Sequence, residues 1–187
     1  MTGQVTVTTY VALVRGINVG TSTLVAMPDF QRVLEESGFT DVKTHLRSGN
    51  AVFESDVDLS PGDIAALESR FSDATGISAP FVVIEGREFV NVVEENPLVG
   101  ESDNPSRLVI SFLPGPVPSG VTIPDAATLL PEAVRVGSRA VYAWCPHGVS
   151  TSSIPASFWR QFGPAATARD ANTANKLVSL VLPRLEG

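Results

Sequence analysis

Apolar positions along the chain change their period repeatedly, and each change marks an element. Residues 10–17 form a near-continuous apolar, β-branched run closed by Gly16 and the turn signal Asn18-Val19-Gly20, the pattern of a buried strand. From Pro28 the period lengthens. Phe30, Val33 and Leu34 fall on one helical face, Pro28 suits a first turn, and Gly38 followed by Phe39 supplies a left-handed stop with its apolar contact. Residues 42–47 and 51–54 flank Ser48-Gly49-Asn50 and predict a β-hairpin. Ser60-Pro61-Gly62-Asp63 combines an N-cap, a first-turn proline and an acidic third residue, after which Ile64, Leu67 and Phe71 share a face up to Gly76. Residues 81–84 predict a fourth strand, and Phe89, Val92 and Val93 a short helix ended by Asn96-Pro97.

The same order of periods then returns. Residues 108–113 predict a strand, 123–130 a weak helix between prolines, and 133–136 with 140–144 a hairpin about Gly137-Ser138. Residues 152–162 predict a helix with Phe158, Trp159 and Phe162 inward, stopped by Gly163-Pro164; a strand over 165–169 and a helix over 172–185 close the chain. The expected fold class is therefore α+β, as two tandem ferredoxin-like units (β-α-β-β-α-β plus a helix) with antiparallel sheets. The first unit is expected over residues 1–100 and the second over 101–187, parted at the polar, Gly/Pro-containing stretch 100–106. A second loose stretch, 114–124, reads as an excursion within the second unit. The duplication rests on element order alone.

Composition narrows the functional classes. A chain of 187 residues with 43% hydrophobic and 18% charged residues can bury one large core or two small ones, which excludes wholesale disorder. Its net charge of −7 is unevenly placed: residues 1–100 hold 14 Asp/Glu against 6 Lys/Arg, and residues 101–187 hold 6 against 7. An acidic first half argues against duplex nucleic acid as a partner, since phosphate contacts need clustered cations, but leaves room for a small anion in a local pocket. No apolar run has the length of a membrane span. The stretch from Met1 to Thr9 lacks the basic and apolar regions of a signal peptide and is expected to be a loose tail, with a cytoplasmic location by default. Cys145 is the only cysteine and His45 and His147 the only histidines, so neither an internal disulfide nor a transition-metal site is expected, and no cofactor.

Four motifs carry a family resemblance. Tyr10-Val11-Ala12-Leu13-Val14-Arg15-Gly16-Ile17-Asn18-Val19-Gly20 resembles the opening signature of the domain-of-unknown-function 1697 family. Gly38-Phe39-Thr40-Asp41-Val42-Lys43-Thr44 leading to Ser48-Gly49-Asn50-Ala51-Val52-Phe53 resembles its second, and Asn96-Pro97 a short third. Thr167-Ala168-Arg169-Asp170-Ala171-Asn172-Thr173 with Lys176-Leu177 is similar to its terminal motif. Two departures stand out: Thr21-Ser22-Thr23 where relatives commonly carry Gly then Lys, and Asp170-Ala171 where they commonly carry Asn-Trp. The resemblance implies a fold and no activity.

Two clusters could bind a ligand. In a β-α-β-β-α-β unit the first and third strands run antiparallel side by side, so Arg15 and Asn18 come near Arg47, Ser48 and Asn50. A guanidinium, two amides, a hydroxyl and glycine-exposed N–H groups suit a phosphate or carboxylate. The plainer alternative makes the glycines and asparagines turn residues and Arg15 the partner of a buried acid. Gly16-x-x-x-Gly20 lacks the Lys-Ser/Thr of a P-loop, so triphosphate hydrolysis is not indicated. The second cluster, Arg169, Asp170, Asn172, Thr173 and Lys176, sits at a strand-to-helix junction, where free N–H groups favour anions; alternatively Asp170 or Asn172 is an N-cap. Were chemistry to follow binding, Asp170 would be the base and Lys176 the charge stabiliser, though the spacing pairs neither with a partner. Cys145-Pro146-His147 is better read as a buried thiol at a strand end than as a nucleophile pair, and Tyr10 and Phe53 as core rather than an RNA-stacking platform. The leading expectation is a site for a small anionic or nucleotide-like ligand at the first cluster. The competing one is an interaction module without catalysis.

Overall fold

The computed structural model describes residues 7–186. The element order is β1 (Thr8–Val14), α1 (Met27–Glu36), β2 (Thr40–His45), β3 (Asn50–Ser55), α2 (Pro61–Thr75), β4 (Phe81–Glu85) and α3 (Gly86–Glu94), followed by β5 (Leu108–Phe112), α4 (Ala126–Leu129), β6 (Ala133–Val136), β7 (Ala140–Trp144), α5 (Ala156–Trp159), β8 (Thr167–Asp170) and α6 (Ala171–Leu185). The strands make two four-stranded sheets, ordered β2-β3-β1-β4 and β6-β7-β5-β8, and every pairing is antiparallel. The fold is thus mixed α and β with two antiparallel sheets. By backbone packing the chain divides into one unit of residues 1–89 with 179–187 and another of residues 90–178, so the division falls inside α3 and inside α6. The stretch 100–106 lies within the second unit, where short 3-10 turns span Val99–Glu101 and Pro105–Arg107.

In the first unit the central strand β1 is buried along six of its seven residues, as its unbroken apolar run requires. Tyr10, Ala12 and Val14 face one side together with Ala51, Phe53, Phe81 and Val83, and α1 and α2 cover them with Phe30, Val33, Leu34, Leu67 and Phe71. The rings interlock. Phe30 lies edge-on to Phe71 at 5.9 Å, Phe71 to Phe81 at 5.3 Å, and Phe39 stacks on Phe53 at 4.4 Å. Helix α2 starts on a full capping box: the Asp63 amide donates to the Ser60 hydroxyl, and the Asp63 carboxylate accepts from the Ser60 amide.

In the second sheet the central strands β5 and β7 are buried on both faces. On one, Tyr142 reaches α3, where its hydroxyl lies 2.6 Å from the Val92 carbonyl and 2.9 Å from the Glu95 carboxylate. A phenol has one proton, so it donates to only one of these acceptors at a time. The other face gathers Leu113, Val134, Val141, Ala143 and Cys145 against Leu129, Ile154, Phe158 and Phe162.

Several boundaries differ from the sequence expectation for identifiable reasons. The strand expected over 10–17 ends at Val14, because Gly16 and Asn18 turn left-handed at φ 75° and 55°. It begins two residues into the expected loose tail, since Thr8 and Thr9 pair with Ser55 and Glu54; residues 1–6 of that tail lie outside the described residues. The strand expected over 42–47 starts earlier and stops at His45, where Leu46 takes φ 58°. The helix expected over 123–130 keeps only Ala126–Leu129.

The largest difference is the helix expected over 152–162, of which one α-turn survives, Ala156–Trp159, continued by a 3-10 turn, Arg160–Phe162. Glu132 is the cause. Its buried carboxylate accepts hydrogen bonds from the Ser152 hydroxyl (2.9 Å), the Ser153 amide (3.1 Å) and the Ser153 hydroxyl (3.2 Å). These donors are held in an extended segment, and Pro155 then starts the helix.

Candidate functional site

The two loops of the first cluster are brought together by strand register. Leu13 lies opposite Asn50 in the β1–β3 pairing, and the Val14 amide donates to the Gly49 carbonyl at 2.7 Å. Gly49 has φ 79°, and a Cβ there would lie 2.8 Å from Ile17 Cδ1 and 2.9 Å from Val14 Cβ. The close approach of the loops therefore depends on a residue without a side chain.

Asn18 locks the loops to each other. Its Oδ1 accepts from the Val25 amide at 2.9 Å, while Nδ2 donates to the Val25 carbonyl at 3.1 Å and to the Arg47 carbonyl at 2.6 Å. The loop it closes is braced again by the Asn18 amide on the Thr23 carbonyl (2.7 Å) and by reciprocal Val19–Thr23 bonds. Asn50 is fully buried, and its Nδ2 donates to the His45 carbonyl and the Ser48 hydroxyl, both at 2.9 Å. Both amides thus serve the backbone of the loops, the turn-residue role that was the plainer alternative. Arg15, Arg47 and Ser48 are exposed on the same two loops, and the Arg15 amide is anchored on the Pro80 carbonyl at 3.0 Å.

The second cluster spreads over different environments. Arg169 is 9% exposed on β8, opposite Ile110, and donates to the Thr167 hydroxyl (2.9 Å) and the Ala168 carbonyl (2.8 Å). Burial pushes its guanidinium down to about 10, against the opposing effect of Asp170, so it stays protonated at neutral pH. The Asp170 carboxylate accepts from the Thr173 amide at 2.8 Å and caps α6. Asn172 and Lys176 are exposed. Asp170 therefore acts as the N-cap, while Arg169 is sequestered in the sheet.

Cys145 is 2% exposed, and its thiol is pushed up chiefly by burial, the reverse of what a nucleophile needs; His147 sits on the surface. Tyr10 and Phe53 stack at 5.9 Å inside the first core. Among the described residues no group of three His, Cys, Asp or Glu side chains converges, and no helix is long and apolar enough to cross a membrane. Sequence reasoning missed the Glu132 and Tyr142–Glu95 networks. Glu132 had a signal, as the one carboxylate between Asp125 and Asp170 in the sequence.

Fold and loops together define an α+β protein with two antiparallel sheets, the first of which carries two polar loops braced against each other. The chain belongs to the family described as "Protein of unknown function (DUF1697)", whose model matches residues 7–142. The motif around Arg169 and Lys176 lies beyond that stretch. The fold is similar to that of the conserved bacterial protein SP0830 from Streptococcus pneumoniae, with a TM-score of 0.67 and 22% sequence identity over 94% of this chain and 99% of that one. No curated protein matches the chain.

Proposed function

We propose that the first unit binds a small anionic, phosphate-bearing ligand at the paired loops, with Arg15 and Arg47 as the charge contacts, Ser48 as a hydroxyl donor, and Asn18 and Asn50 as positioning residues. The carrying observation is the 2.6 Å bond from Asn18 Nδ2 to the Arg47 carbonyl, which fixes one arginine-bearing loop against the other. Braced loops lose less freedom on binding, and guanidinium groups match phosphate oxygens in pairs. The same reading takes the two sheets as tandem ferredoxin-like repeats. It is supported by the equivalence of their strand orders, β2-β3-β1-β4 and β6-β7-β5-β8.

Calorimetry and thermal melts with inorganic pyrophosphate and with AMP test this, because only native-state binding raises the midpoint. Arg15→Ala and Arg47→Ala should each weaken affinity about 10-fold and leave the unliganded midpoint within about 2 °C. Absence of saturable binding to either anion, or a midpoint that collapses in Arg15→Ala, refutes the reading.

A second reading, an interaction surface without catalysis, is favoured by Val19, Leu24 and Leu46. They are exposed by 68%, 56% and 56% on these same loops. In that case anions leave the midpoint unchanged, and Val19→Ser with Leu46→Ser removes an association visible by sedimentation.

A further inference from the structure

The second unit contains a cavity of about 340 Å³ between one sheet face and the shortened helix α5. Its floor is built of alternate residues on adjacent strands, Val109 and Ser111 on β5 and Ala143 and Cys145 toward the end of β7, and its far wall is Ile154 and Trp159. Small side chains at the floor and a helix of a single turn leave the volume unfilled.

We propose that this cavity binds a small, neutral, aromatic molecule bearing one hydrogen-bonding group, which meets the Ser111 hydroxyl. Four observations carry the inference. No formally charged side chain lines the cavity, so a charged ligand would be desolvated without compensation. An apolar cavity of about 150 Å³ already accepts benzene, so the volume here suits a two-ring molecule. Trp159 supplies an aromatic wall. Ser111 is only 8% exposed and lines the cavity, so its hydroxyl is the polar oxygen of the strand floor that a ligand can meet. A ligand's polar group that meets this hydroxyl keeps it hydrogen-bonded when water is displaced, whereas a wholly apolar ligand strands it.

The test uses 2-naphthol and naphthalene as probes, with binding followed by ligand-observed NMR on the full chain. Saturable binding of both is expected, with 2-naphthol about 10-fold the tighter, and Ser111→Ala should erase that preference while preserving naphthalene binding. Ala143→Leu should narrow the cavity and weaken binding of both. Should that variant misfold, Cys145, the only thiol in the chain, reports on the unaltered protein. Saturating 2-naphthol should slow its alkylation by N-ethylmaleimide at least 5-fold. Absence of saturable binding, a preference for 2-naphthol unchanged in Ser111→Ala, or Cys145 alkylation indifferent to the probe would each overturn the proposal.

Discussion

The two sheets share one strand order and differ in what covers them. In the first unit, helices of 10 and 15 residues lay Phe30, Leu34 and Phe71 over Ala12, Ala51 and Val83, and the rings of Phe30, Phe71 and Phe81 pack edge-on against one another. In the second, α4 and α5 have 4 residues each, and small side chains at Ser111 and Ala143 face a cavity instead of a ring. Equal topology therefore does not imply equal packing. Strand order follows from chain direction and turn placement, whereas filling depends on the volumes that the covering segments deliver.

The comparison is broken most strongly by removing a ring from the full core. Phe71→Ala should cost about 3–5 kcal/mol of unfolding free energy, because a rigid neighbourhood of Phe30 and Phe81 cannot collapse into the space. Denaturant titration measures it, and a loss below about 1.5 kcal/mol would mean that the first cover is as loose as the second.

A matched pair sharpens the contrast. Ala51 and Ala143 are both buried on strands, at 0% and 1% exposure. Ala51→Leu should destabilise by about 1–3 kcal/mol through overpacking. Ala143→Leu, entering unfilled volume, should be neutral within about 1 kcal/mol or stabilising. Equal losses for the two variants would remove the cavity as the distinguishing feature.

The smallest effect tests whether looseness is confined to one face of the second sheet. Tyr142 fills the opposite face, and Tyr142→Phe should cost about 1 kcal/mol by removing the hydrogen bond that its hydroxyl donates to the Val92 carbonyl or the Glu95 carboxylate. The pH dependence has a definite sign. Burial, followed by the neighbouring Glu95, raises the phenol well above its ordinary value of 10.0. The native state therefore holds its proton where the unfolded chain gives it up. That contribution is complete below about pH 10 and is lost as pH climbs beyond it. The parent protein should lose stability faster than Tyr142→Phe between about pH 10 and 11.5, and parallel curves would contradict the assignment.

How much of this was legible in the sequence varies residue by residue. Elements with strong local signals were read closely. Examples are the capping box at Ser60 and Asp63, the Phe30/Val33/Leu34 face, and the two hairpins. The helix expected over 152–162 was misread because its apolar spacing is real, while the carboxylate that holds Ser152 and Ser153 extended comes from Glu132, some twenty residues away in sequence. The candidate loops were placed side by side by topology. Yet whether Asn18 and Asn50 face a ligand or their own backbone turns on left-handed dihedrals that periodicity does not encode.

By itself the sequence determined the order of strands and helices, the apolar faces of those with strong local signals, and the acidic balance of the first half, because these follow from local periodicity, capping and turn chemistry. The tertiary structure decided the rest. It committed both loop amides to backbone carbonyls, took Arg169 into the sheet, and left Ser111 facing unfilled space. Each outcome depends on which distant atoms meet a given group, and that is set by three-dimensional packing rather than by neighbours along the chain.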